Sequence, residues 1–184
     1  VSKIRVFDDT LIGTYPVGTV GMGVAITPDG SKLYSQQSGA WSVFNTADNS
    51  YIRRTVDANY HGTAVSQDGT YVAILGPYYP FIYRTSDETY VSAPRTGYYP
   101  REIAASPDGS RFYVTYDNAV SILGIHDWTI LGSLTVGSGT QGVTVSSDNK
   151  YVYTANATAN SVSAVRLADK NVTIGVISTS MNAA

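Results

Sequence analysis

A short motif recurs along the chain at a nearly constant spacing, and this repeat restricts the possible folds more than any other feature. Its four copies occupy residues 23–30, 62–69, 102–109 and 142–149, and the first reads Gly-Val-Ala-Ile-Thr-Pro-Asp-Gly. The aligned aspartates are separated by 39, 40 and 40 residues, and they are Asp29, Asp68, Asp108 and Asp148. A period near 40 residues is typical of repeat proteins in which every copy is one supersecondary unit.

Each copy predicts four β-strands. The motif begins with a short strand of small and β-branched residues, and Pro-Asp-Gly then predicts a tight turn, because Pro fixes φ, Asp hydrogen-bonds its own backbone and Gly accepts a positive φ. An aromatic strand and two further strands follow, with period-two alternation and no sustained helical period. A single four-stranded sheet cannot bury both of its faces, so the copies must stack on one another.

The repeat therefore predicts an all-β fold, a β-propeller with four full four-stranded blades plus a half blade. A β-sandwich or another β-repeat array is the competing fold, but its turns would be less regularly spaced. The chain reads as a single propeller segment with these boundaries: 1–17 half blade, 18–57, 58–95, 96–136 and 137–184 full blades.

Two segments that follow the turns resemble the YVTN family of propeller repeats, which occurs in archaeal and bacterial surface-layer-like proteins. They are Tyr113-Val-Thr-Tyr116 and Tyr151-Val-Tyr-Thr154-Ala-Asn156, whereas the first two copies depart from the pattern. The resemblance implies a ring of about seven blades, which needs on the order of 280 residues at this period. The chain has 184 residues, so we expect it to be part of a larger ring, with missing blades or self-association completing it.

The composition restricts the classes of binding partner and the cellular compartments that we expect for the protein. The net charge of −2 and the scattered basic residues give no reason to expect nucleic acid. The absence of cysteine excludes disulfides and thiolate metal sites, and no cofactor is expected. No apolar run reaches the roughly 18 residues that a membrane span requires, and the N-terminus lacks signal-peptide features. With the family resemblance, we expect an extracellular or cell-envelope protein, the periplasm included.

Aromatic residues concentrate in the loops that should share one rim of the second and third blades. Tyrosine has a flat apolar face and a polar tip, which suits protein and carbohydrate partners. Two of these loops carry proline, which stiffens the backbone and lowers the ordering cost of binding. The candidate ligand-binding residues are Tyr60, His61, Tyr78, Tyr79, Tyr98, Tyr99, Arg101, Glu102 and Tyr116.

Several alternatives remain open at this point. The same tyrosines could pack adjacent blades together, and His61 with Glu102 could form an acid–base pair at the mouth of the channel. The leading expectation is a non-enzymatic scaffold and interaction surface. The alternatives are a fragment of a propeller enzyme or electron-transfer subunit (lactonase, lyase or amine-dehydrogenase-like) and a lectin-like carbohydrate binder. Asn156-Ala-Thr158 and Asn171-Val-Thr173 also fit the N-glycosylation pattern.

Overall fold

The computed structural model describes residues 1–17, 21–55, 62–167 and 172–177, with the backbone alone for Met22 and for 172–177. Within these ranges the secondary structure consists of β-strands and turns, without a helix. None of the described segments is therefore a helix able to cross a membrane.

The strands form four antiparallel four-stranded sheets and one two-stranded sheet. The two-stranded sheet consists of β1 (Ser2–Arg5) and β2 (Thr10–Thr14). The first full blade contains β3 (Gly21–Ile26), β4 (Lys32–Gln37), β5 (Ala40–Asn45) and β6 (Tyr51–Thr55). The second contains β7 (Thr63–Val65), β8 (Tyr71–Leu75), β9 (Pro80–Arg84) and β10 (Tyr90–Ser92). The third contains β11 (Ile103–Ala105), β12 (Arg111–Tyr116), β13 (Ala119–Gly124) and β14 (Ile130–Thr135). The fourth contains β15 (Thr140–Val145), β16 (Tyr151–Asn156), β17 (Ser161–Leu167) and β18 (Val172–Ile177).

Every full blade follows the order of its strands in sequence, and the first strands lie together. β3 contacts β7, β7 contacts β11, and β11 contacts β15. These contacts place the first strands innermost, where blades crowd most closely around the axis. Small residues such as Ala104 and Ala64 fit this crowded position. The propeller arrangement of four full blades that the repeat predicts is confirmed.

The second strand of a blade that has a full blade on either side is buried on both of its faces, as β8 shows. In β8, Val72 and Ile74 belong to the apolar cluster shared with the first blade, and Ala73 and Leu75 to the cluster shared with the third. Successive side chains of a strand point to opposite faces. The face-to-face stacking of blades on both sides therefore explains why β8 is apolar along its length.

The four repeat aspartates occupy equivalent turns, as predicted. In the third blade, Asp108 Oδ1 accepts hydrogen bonds from Ser106 Oγ at 2.6 Å and from the Ser110 N–H at 3.0 Å. The Ser106 hydroxyl in turn accepts the Arg111 N–H at 2.9 Å. The same interactions surround Asp29, Asp68 and Asp148.

A second repeated turn joins the third and fourth strands. It consists of Asp, a residue with positive φ, and then Thr or Ser, whose backbone N–H donates to the aspartate. In the second and third blades, the central residue of this turn contacts the second strand of the preceding blade. In the second blade it is Glu88, with φ of 59°, and in the third it is Trp128, whose ring lies 4.8 Å from that of Tyr71. The turn thus contributes to the packing between blades.

Candidate functional site

Two loops on one rim bring four of the predicted tyrosines together. Tyr78 and Tyr79 lie in the loop between β8 and β9, and Tyr98 and Tyr99 lie in the connection from β10 to β11. The Tyr78 ring centroid lies 5.8 Å from that of Tyr98, 6.2 Å from that of Tyr99 and 6.4 Å from that of Tyr79. We refer to these four residues as the tyrosine cluster.

Three rings of the tyrosine cluster face solvent. Tyr98 is 69% exposed, Tyr99 is 56% exposed and Tyr78 is 46% exposed, whereas Tyr79 is half-buried against Phe81. An aromatic ring that held two blades together would be largely buried, as Trp41 and Tyr113 are. The exposed rings are therefore available for contact with another molecule.

The backbone fixes the two loops to each other. The Tyr99 N–H donates to the Pro77 carbonyl at 3.1 Å, and the Gly76 N–H donates to the Tyr79 carbonyl at 3.0 Å. Pro77 and Pro100 further restrict the backbone next to the rings. A site whose loops are already ordered loses less conformational entropy when it binds.

A surface pocket of about 610 Å³ opens beside the cluster. Its volume lies within the range of about 300–1,000 Å³ that is common for ligand sites. The pocket is lined by Tyr78, Tyr79, Arg95, Thr96, Gly97 and Tyr98. Sequence reasoning missed Arg95 and Thr96, because they precede the aromatic pair in the connection and belong to no repeated motif.

Gly97 makes the pocket wall possible. A Cβ at Gly97 would lie 2.8 Å from Cγ of Tyr116, and φ of Gly97 is 150°. The Tyr116 ring thus packs directly under the connection and is only partly exposed. Gly137 holds the corresponding place in the next blade, where a Cβ would lie 2.6 Å from Nδ2 of Asn156. Tyr116 supports the loop from below rather than adding a fourth exposed ring.

Arg101 and Glu102 lie where β11 begins. The Arg101 side chain is exposed, while its N–H donates to the Thr115 carbonyl at 2.9 Å. Glu102 folds back so that Oε1 accepts the Ile103 N–H at 3.0 Å. Tyr60 and His61 lie outside the described residues, so the proposed pair of His61 with Glu102 stays a prediction.

Shifted pKa values occur in the turns and in the core. Hydrogen bonds from Thr27 and Ser31 lower the pKa of Asp29 to about 2. Burial raises the pKa of Tyr34, and the negative charge and hydrogen bonding of Glu88 raise it further. Among the described residues there is no group of three or more His, Cys, Asp or Glu side chains arranged to hold a metal ion.

The first N-glycosylation pattern lies in the core of the fourth blade. Asn156 is 2% exposed, and its Nδ2 donates to Ser161 Oγ at 3.1 Å and to Ser163 Oγ at 2.9 Å. Its Oδ1 accepts hydrogen bonds from Thr140 and Thr154. The amide is therefore inaccessible in the folded chain, and Asn171 of the second pattern lies outside the described residues.

Comparisons with known proteins support the fold. The β-propeller domain of Cps50 (Swd1) from Myceliophteria thermophila matches with a TM-score of 0.81 at 9% identity, over 95% of this chain and 64% of that one. A functionally unknown protein from Desulfotomaculum acetoxidans DSM 771 matches with a TM-score of 0.79 at 16% identity, over 96% and 61%. Hydrazine synthase from Kuenenia stuttgartiensis matches with a TM-score of 0.74 at 17% identity, over 95% and 55%.

The arrangement of the blades and these similarities define the chain as a β-propeller. It spans between 55% and 64% of the length of these three structures. No protein-family model matches the sequence, and no curated protein does. The similarity thus extends to the fold, which hosts both enzymes and binding proteins.

Proposed function

We propose that the chain is part of a non-enzymatic β-propeller of the extracellular space or cell envelope that serves as a scaffold and interaction surface. The exposed tyrosine cluster carries this proposal. Three rings of the cluster are 46–69% exposed, and the Tyr78 ring lies 5.8 Å from that of Tyr98 and 6.2 Å from that of Tyr99 on pre-ordered loops. Clustered aromatic side chains are characteristic of recognition surfaces, since they bury a large area at a small cost in side-chain entropy.

The proposed partner is a protein or a carbohydrate. Tyrosine rings can stack on the apolar face of either, and their hydroxyls can hydrogen-bond at the edge of the contact. The tandem repeat and the YVTN-like strands support the assignment to surface-layer-like propellers, and with it the extracellular location. Both assignments are part of the proposal.

We further propose that the apolar surface around β1 and β2 is covered by additional propeller blades. Phe7 is 94% exposed and Leu11 is 62% exposed. A gap of about 430 Å³ between β1 and the first blade is lined partly by Ile4, Tyr15 and Ile26. Exposed apolar surface of this kind favours association. Light scattering after size exclusion should show oligomers of the isolated chain, and a monomer throughout a micromolar to hundred-micromolar series would contradict this part.

Binding at the rim can be tested with an array of neutral and acidic oligosaccharides and with purified surface-layer proteins. The test variant combines Tyr78→Ala, Tyr98→Ala and Tyr99→Gly. The matched control combines Tyr51→Ala and Tyr90→Ala, which remove exposed tyrosines from outer strands. We expect the wild type and the control to bind at least one probe and the test variant to bind none.

The proposal fails if the wild type binds no probe, or if the test variant keeps the binding of the wild type. Chemical turnover of a bound probe, followed by NMR, would instead favour an enzyme. Circular dichroism must show that both variants remain folded.

A further inference from the structure

The pocket beside the tyrosine cluster carries a positive charge. Arg95 is exposed and is the charged residue among the six described residues that line the pocket. Its guanidinium disfavours a cationic ligand such as a quaternary ammonium, although aromatic rings alone would attract one. A guanidinium beside aromatic faces instead suits a ligand that carries a carboxylate, which it can bind with two parallel hydrogen bonds.

A buried hydroxyl of the wall also has no partner. Thr96 is 5% exposed, and its Oγ1 makes no hydrogen bond within the described part of the chain. The Thr96 carbonyl, by contrast, accepts a hydrogen bond from Ser121 Oγ. Buried hydroxyls are nearly always paired in folded proteins. Because Thr96 lines the pocket, this hydroxyl is the one that we assign to a ligand with hydroxyl groups.

Two backbone N–H groups of these loops are not available to an extended peptide. The N–H groups of Tyr99 and Gly76 are already used in the hydrogen bonds that join and close the loops. Strand addition needs a row of free backbone groups. The side chains that line the pocket offer ring faces, phenol hydroxyls, a guanidinium and a hydroxyl, a combination that suits a carbohydrate.

Tyr99 adds an independent observation. Its φ is +56°, a left-handed conformation that glycine adopts freely and that is costly for other residues. Gly139 holds the corresponding position in the next blade, with φ of +69°. Glycine at position 99 would relieve this backbone cost. Tyr99→Gly therefore removes the ring without straining the loop.

Building on the proposed function, we infer that this pocket binds an acidic oligosaccharide through the carboxylate of a uronate residue. Sugar rings stack on Tyr98 and Tyr78, and the Arg95 guanidinium holds the carboxylate. The Thr96 hydroxyl and the phenol groups bind sugar hydroxyls. This assigns the charge recognition to Arg95 rather than to Arg101, the arginine among the predicted ligand-binding residues.

Calorimetry with trigalacturonate and its methyl ester tests the inference. The ester keeps the sugar rings and removes the negative charges. We expect the wild type to bind the acid at least about tenfold more tightly than the ester, as one charge-assisted hydrogen-bonded contact requires. Arg95→Gln should abolish this preference. Arg101→Gln makes the same change of charge on an exposed arginine outside the pocket lining, and it should leave the preference intact.

Tyr99→Gly provides a second test, because it removes the ring and relieves the backbone. Binding should weaken at least about tenfold while the thermal midpoint stays the same or rises. Equal binding of the acid and the ester by the wild type would overturn the inference. A loss of the preference for the acid in Arg101→Gln would also overturn it. Neither result would contradict the proposed recognition surface. Failure of the wild type to bind trigalacturonate would also overturn it, whereas the array with the triple tyrosine variant decides the proposed function separately.

Discussion

A buried interaction between the first two blades offers a sharp test of how the propeller is held together. Glu88 in the second blade is 6% exposed, and its Oε1 accepts a hydrogen bond from Lys32 Nζ at 2.8 Å and from the Tyr34 hydroxyl at 3.0 Å. Tyr34 is fully buried. The change Glu88→Ala leaves the Tyr34 hydroxyl without an acceptor, and it leaves the Lys32 ammonium group with the Thr85 carbonyl as its remaining acceptor.

The expected cost follows from the two groups left behind. Removing one partner of a buried ion pair costs about 3–5 kcal/mol. The Lys32 side chain is 31% exposed, so water can replace part of the lost interaction. We therefore expect the loss of the lysine interaction to cost about 1–2 kcal/mol. The unpaired Tyr34 hydroxyl adds about 1–2 kcal/mol. Together Glu88→Ala should lower the free energy of unfolding by about 3 kcal/mol, a large part of the stability of a typical domain.

Urea unfolding followed by the fluorescence of the buried Trp41 measures this loss. With a slope of about 2 kcal/mol per molar urea, the midpoint should fall by about 1.5 M. Asp9→Ala is the matched control, because Asp9 holds the corresponding turn position with φ of 54° and an exposed side chain. It should cost less than about 1 kcal/mol. A loss in Glu88→Ala no larger than in the control would refute the reasoning.

Three further predictions concern the core tyrosine, a repeat turn and the pocket wall. Burial and then Glu88 raise the pKa of Tyr34. The contribution of Tyr34 to the free energy of unfolding is therefore complete below the unfolded pKa of about 10 and declines as the pH rises above it. Between pH 9 and 11 the urea midpoint should fall less in Tyr34→Phe than in the wild type, and parallel curves would contradict this. Burial raises the pKa of Asp108, but hydrogen bonds from Ser106 and Ser110 outweigh it and lower the pKa overall. Because Asp108 is exposed and solvent screens its interactions, Asp108→Ala should cost about 1 kcal/mol or less at pH 7 in urea unfolding and progressively less below about pH 4. A pH-independent cost would contradict the assignment. Gly97→Ala places a Cβ 2.8 Å from Tyr116 at a φ of 150°, so the thermal midpoint should fall by an amount equivalent to about 2 kcal/mol, and an unchanged midpoint would show that the connection can move.

Hydrogen bonds between residues close in the sequence made the fold predictable from the sequence alone. Asp29, Asp68, Asp108 and Asp148 act through hydrogen bonds to residues two positions away, so their spacing alone marks the turns. The second turn follows the same logic and is visible as Asp-Xaa-Thr or Asp-Xaa-Ser before the fourth strand of the half blade and of the first three full blades, at Asp8, Asp48, Asp87 and Asp127. This turn is a weaker sequence signal than the first, because its central residue is Asp9, Asn49, Glu88 or Trp128.

The candidate site was only partly predictable, because it depends on contacts between loops about 20 residues apart. The repeat placed Tyr78, Tyr79, Tyr98 and Tyr99 on one rim. The sequence does not distinguish an exposed tyrosine from one that packs between blades. Tyr116 carries the same side chain as Tyr98, yet it supports Gly97 from below while Tyr98 is 69% exposed. Arg95 and Thr96 belong to no motif, and only the folded connection brings them to the pocket.

The sequence by itself thus determined the strand count, the turns and the stacking of the blades, since hydrogen bonds and side-chain alternation over a few residues specify all three. The tertiary structure decided which aromatic rings face solvent and which charged group stands beside them. These properties depend on the distance between separate loops and on the side chain that lies beneath each one. That information becomes available only when adjacent blades have packed.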